Sequence, residues 1–159
     1  MGAYSVAYLD EIVETQGLLF DVANEAFGST LVGHRHLFFN GDFRSTLDTL
    51  DFITRYMRSK TRSRIDRADP YVCTKDAYEL LEWFIQTEGF VPNMGEQIGG
   101  FVPNWIGQFY AYFQWYYSIS SAELVEMLPA ANLVRTYFGL HDLDLELAVT
   151  KIGTSMGLG

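Results

Sequence analysis

Apolar positions recur with a period near 3.6 along most of this chain, the spacing of residues on one face of an α-helix. Leu9, Ile12, Val13, Gln16, Leu19, Phe20, Ala23 and Phe27 form the first stripe and predict a helix over roughly residues 5–27. Gln16 is its one polar member, and Gly17 weakens its middle. Residues 28–41 show no clear period. Gly28, Gly33 and Gly41 punctuate a short apolar run, Leu37-Phe38-Phe39, that suits a buried loop or a short extended piece. Asp42 is a suitable N-cap for a second helix with the stripe Phe43, Leu47, Leu50, Ile53 and Met57. On its other face Arg44 with Asp48, and Asp51 with Arg55, stand four apart and can pair. A polar, basic stretch follows at 59–73, where Pro70 pushes Asp69 out of helical geometry. Thr74 is placed to cap a third helix whose inward face is Ala77, Leu80, Leu81, Phe84 and Ile85, with Asp76 in its first turn.

The second half opens on a glycine-rich loop at 87–104 in which Gly89-Phe90-Val91-Pro92-Asn93 recurs as Gly100-Phe101-Val102-Pro103-Asn104. Pro103 suits the first turn of a helix over about 103–118. Seven of the nine residues from Phe109 to Tyr117 are aromatic, and a helix apolar on all sides belongs in the centre of a domain. Trp105, Phe109, Phe113 and Tyr116 share the face expected to point inward. Ser120 and Glu123 make a capping box for a short helix ending at Pro129, and another spans about 130–138, stopped by Gly139. Asp142 to Leu147 alternates like a strand, but its continuation to Ile152 favours a last helix capped by Asp142. The predicted fold is all-α: a single compact domain, 1–152, of about six helices around a central aromatic-rich helix, with a flexible tail at 153–159.

Composition supports that picture. The chain has 159 residues, one domain's worth, and 48% of them are apolar, enough to build a core and to exclude disorder. Charge changes it. There are 20 acidic residues against 11 basic ones, a net charge of −9, so the overall field does not favour nucleic acid. The bases are concentrated in the middle, where Arg55, Arg58, Lys60, Arg62, Arg64 and Arg67 fall within thirteen residues. Arginine suits bidentate binding of phosphate or carboxylate, so Arg58, Arg62, Arg64 and Arg67 are candidate anion-binding residues. The competing reading pairs them with the chain's own surplus acids. Tyr110, Trp115 and Tyr117 of the aromatic helix are candidates for a partner or ligand surface.

Catalytic and metal motifs fail on context. Gly153-Thr154-Ser155-Met156-Gly157 matches the nucleophile-elbow spacing but has no strand before it and no Asp or His after it. His34, His36 and His141 lack metal-site spacing, and Cys73, the one cysteine, excludes a disulfide framework and reads as a buried inert thiol. The acids from Asp142 to Glu146 have no glycine or distal glutamate where a calcium loop needs them. No phosphate loop follows Gly95–Gly100. No catalytic residue, metal or cofactor is therefore assigned. No N-terminal basic and apolar signal and no run long enough for a membrane span is present, so the expectation is a cytoplasmic protein with no membrane contact.

The run from Gly100 to Tyr112, the ending Leu140-His141-Asp142-Leu143-Asp144-Leu145-Glu146-Leu147-Ala148-Val149, and the span from Asp51-Phe52-Ile53 to Tyr71-Val72-Cys73-Thr74 resemble a group of small uncharacterised proteins of gram-positive bacteria. Residues 28–41 and the first Gly-Phe-Val-Pro-Asn copy depart from it. Genes of that kind sit near toxins or mobile elements, and the resemblance implies no activity and no site residues. The expected function is a non-catalytic protein-interaction module, toxin-neutralising or accessory to a mobile element, whose partner is another protein or a second copy of the chain. Two alternatives stand beside it. One is a small-molecule binder or small enzyme with a pocket formed by the aromatic helix, Arg62, Arg64 and His36. The other is nucleic-acid contact through 55–67.

Overall fold

The computed structural model describes residues 3–35 and 46–159, with side chains from 3–27 and 46–159. Leu37-Phe38-Phe39, the Asp42 cap, Arg44 and the side chains of His34 and His36 lie outside the described residues.

The first stripe forms α1, Val6–Arg35, longer than its apolar pattern predicted. Leu9, Ile12, Gln16, Leu19, Phe20 and Ala23 are all buried along it. A two-residue strand β1, Thr46–Leu47, follows, and α2 then spans Thr49–Met57. Its cap is Asp48, whose carboxylate accepts the Asp51 N–H, and Leu47 of the expected stripe belongs to the strand instead. The pairing Asp51–Arg55 forms at 3.2 Å.

The polar stretch at 59–73 holds two further helices, α3 (Lys60–Asp66) and α4 (Pro70–Cys73). Ser59 and Asp69 cap them. α3 is too polar, and α4 too short, to show an apolar period. Asp76, rather than Thr74, caps α5 (Ala77–Glu88), through a capping box with Glu79. Thr74 closes α4 instead. Gly89 ends α5 in the left-handed conformation (φ 60°), which costs glycine little. In the loop that follows, β2 (Met94–Gly95) pairs antiparallel with β1, Leu47 opposite Met94.

The two Gly-Phe-Val-Pro-Asn copies have opposite fates. The first closes α5 and buries Phe90, with Arg55 stacked over its ring at 4.2 Å. The second opens α6 (Val102–Tyr117), placing Pro103 in the first turn and leaving Phe101 exposed. The two asparagines do matching work: Asn93 donates to Asp51 at 3.1 Å and Asn104 to Asp21 at 2.7 Å.

After α6 come α7 (Ser121–Met127), with the predicted Ser120–Glu123 capping box, α8 (Ala130–Leu140) and α9 (Leu145–Ser155). Gly139 lies inside α8 rather than stopping it. No side-chain bond caps α9, and Asp144 rather than Asp142 stands at its N-cap. The expected loose tail from 153 begins later: α9 runs to Ser155, Gly153 is buried, and Leu158 and Gly157 donate back to the carbonyls of Gly153 and Thr154. That pair of bonds is the Schellman closure, with Gly157 at φ 84°.

The fold is all-α, as predicted, with an aromatic-rich core. α1 and α6 cross closely at its centre, and α7, α8 and α9 pack against α6. Glycine allows the crossing. A Cβ on Gly107 would stand 2.6 Å from the Gln16 carbonyl oxygen, and one on Gly17 would stand 2.7 Å from Asn104 Oδ1. Phe109, Phe113 and Trp105 point inward as expected, but Tyr116 is 41% exposed. Tyr116 shares their face but stands at the very end of α6, next to Tyr117 and the Ser118 C-cap, where it packs beside Tyr112 and Trp115.

Candidate functional site

The basic cluster does not assemble into an anion site. Arg62, a candidate, is wholly buried between α1, α3 and α6. Its Nε donates to Gln16 Oε1 at 2.5 Å, its Nη1 to Asp66 Oδ1 at 2.8 Å and its Nη2 to the Tyr4 hydroxyl at 3.3 Å. These partners are held in turn. Gln16 Nε2 donates to the Gly107 carbonyl, Tyr4 to that of Ala111, and Gln114 Nε2 to Asp66. The Ser121 amide and hydroxyl donate to the other Asp66 oxygen. Burial opposes the Arg62 charge, but Tyr4, Asp66 and Tyr56 around it outweigh that and raise its pKa further. Burial likewise pushes the Tyr4 phenol up to about 12, against the pull of Arg62. The guanidinium ties helices together and has no face left for an outside anion.

The other arginines diverge. Arg58 pairs with Glu126 of α7. Arg64 pairs with Asp69 at 2.8 Å and lies over the rings of Tyr71 and Trp83. Arg67 turns outward and donates to Ser63. Thus the structure joins the basic segment to the chain's own acids at four places, Arg55–Asp51, Arg58–Glu126, Arg62–Asp66 and Arg64–Asp69.

The aromatic candidates also separate. Tyr110 is fully buried, which corrects its placement on a surface, and its hydroxyl donates to the Leu128 carbonyl at 2.6 Å. Burial raises its phenol far above the ordinary value. Tyr117 is half-buried against Gly153, where a Cβ would collide with its ring and hydroxyl, and that hydroxyl has no hydrogen-bond partner among the described residues. Trp115 is half-buried and packs edge-on to Tyr112 at 5.4 Å, beside the exposed Tyr116.

Cys73 is half-buried rather than buried, with its thiol pushed up by desolvation. It lines a cavity of about 20 Å³ with Tyr56, Thr15 and Gln16, room for about one water. His141 is exposed and stacks on Tyr137. Among the described residues no three His, Cys, Asp or Glu side chains gather to hold a metal ion. Nor is any described helix long and apolar enough to cross a membrane.

An open concavity lies elsewhere among the described residues, between α1 and α5. It is an open groove of about 620 Å³ floored by Val22 and Ala26 from α1 and by Leu81 and Ile85 from α5. Tyr78 stands at its edge, 65% exposed, and Glu25 and Glu82 flank it. Leu18, 45% exposed, continues the α1 stripe one turn before Val22. α1 and α5 pack side by side and leave Val22 and Ala26 facing the same open side as Leu81 and Ile85. The run Leu18-Leu19-Phe20 carries the signal, because three consecutive large apolar residues on a helix cannot all reach one core. Tyr78, off the inward face Ala77–Leu81–Phe84, carries the same signal on α5.

What the fold and this surface define is an all-α domain with an open apolar groove and a paired, internally satisfied basic segment. No protein-family model, no curated protein and no solved structure matches the chain.

Proposed function

We propose that the chain is a non-catalytic protein-interaction module of the cytoplasm that receives its partner in the α1–α5 groove. The observation behind this reading is the exposure of Tyr78 at the edge of an apolar floor of Val22, Ala26, Leu81 and Ile85, with Leu18 exposed one helical turn away on α1. Large apolar side chains held at the lip of a concavity lose solvent contact only when something else covers them. The resemblance to small gram-positive proteins makes the partner a toxin that binding would neutralise, or a protein of a mobile element. The internal pairing of the arginines argues against nucleic-acid contact through 55–67, and the small volume beside Cys73 argues against a ligand pocket there.

The test is co-expression with the products of adjacent genes, then titration calorimetry on any complex. Leu18→Ser and Tyr78→Ser alter exposed positions and leave the core intact. A complex formed by the wild-type chain and lost in these variants is expected. A complex indifferent to both, or substrate turnover that depends on one named side chain, overturns the proposal.

A further inference from the structure

Resting on that docking reading, we infer that the partner's contact element is a short amphipathic helix with lysine or arginine along the edges of its apolar stripe. The groove is walled by two helices, and an amphipathic helix is the element that fills such a trough. Its α5 wall runs from Tyr78 to Gln86, about 12 Å at 1.5 Å per residue, enough for two turns and three apolar anchors at i, i+4 and i+7.

Charge selects the flanks. α1 carries five acidic residues and only Arg35 as a base, and α5 carries three acids and no base. Glu25 and Glu82 line the groove itself, and no cation among the described residues pairs with either. Glu14 stands on the Leu18–Val22 stripe one turn earlier, and Glu79 neighbours Glu82 on α5. Lys75, the basic residue just before α5, is turned aside, its ammonium over the rings of Tyr71 and Trp83 at 4.6 and 5.1 Å. A helix with acidic edges, or a second copy of this chain presenting the same groove, would bring like charges together.

Two stapled helical peptides of about four turns, with the same leucine stripe and either lysine or glutamate edges, provide the test by fluorescence anisotropy on the full chain. The lysine-edged peptide is expected to bind, and its Kd to rise roughly tenfold between low and high salt. Glu25→Gln and Glu82→Gln should each weaken it about two- to fivefold, the scale of exposed ion pairs. Tyr78→Ser should abolish binding, with circular dichroism melting confirming the fold. Equal binding of both peptides, lost in Tyr78→Ser, overturns the charge inference while the groove stands as a docking site. Binding of neither peptide overturns the helix inference. If the native complex also ignores Tyr78→Ser, the docking reading falls with it. Dimerisation of the chain that Tyr78→Ser dissolves overturns the basic-helix inference in favour of self-association.

Discussion

Arg62 shows what a single residue can do to the reading of a segment. Six basic residues in thirteen look like a surface, yet the central one is buried and the segment folds around it. The reason lies in Gln16, Asp66 and Tyr4, which offer the guanidinium its partners, and in Gln114, a polar member of the aromatic helix that holds Asp66 in place. Breaking a buried ion pair leaves one charge alone, so Arg62→Met should cost about 3–5 kcal/mol in urea denaturation. The Arg62→Met, Asp66→Asn double variant should cost less than the two single changes together, because neither charge is then stranded. Tyr117 predicts the opposite sign. Its hydroxyl lacks a partner, so Tyr117→Phe removes an unsatisfied group and should be neutral or stabilising by up to about 1 kcal/mol, read from the same denaturation curves.

At the scale of elements, helices with an apolar period or a capping box were legible in the sequence, α7 among them, and those with neither were not. The stripes from Leu9 to Ala23 and from Trp105 to Phe113 led directly to α1 and α6. α3 and α4 rest on caps and on one buried arginine, so no period marks them. The groove was illegible for a related reason: Leu81 and Ile85 count as core from the sequence, and only the packing angle of α1 on α5 leaves their outer edges uncovered. Tyr116 was misplaced because a stripe gives an arc, whereas neighbouring helices decide how much of the arc is covered. Phe113→Ala should therefore cost about 3–5 kcal/mol, and Tyr116→Ala within about 0.5 kcal/mol of wild type, by equilibrium unfolding. At the α1–α6 crossing, Gly107→Ala must push the Gln16 backbone away and should cost about 1–3 kcal/mol, seen as a lowered Tm.

For the whole molecule, acidity and helix capping set the response to pH. The Tyr71 N–H and the Arg64 guanidinium hold the Asp69 carboxyl below its ordinary range, and the Ser120 amide and hydroxyl do the same for Glu123. The unfolded chain binds these protons more readily than the native one. Their stabilisation is thus fully present above about pH 5 and is lost as pH falls through the unfolded and then the lower native values. Asp69→Asn should flatten the fall in stability below about pH 5, measured by urea titrations at successive pH values, with a small effect because Glu123 is exposed and Asp69 only half-buried. The α1–α6 crossing has a consequence for synthesis. Tyr4 bonds to residue 111 and Gln16 to residue 107, so α1 finds its main partner only after some ninety further residues exist. At about 5–20 residues per second, roughly 5–20 s pass on the ribosome before the side of α1 that faces α6 can be covered. A chain truncated before α6 keeps that side of α1 bare, and is expected to aggregate where the full chain stays in solution, as light scattering would show.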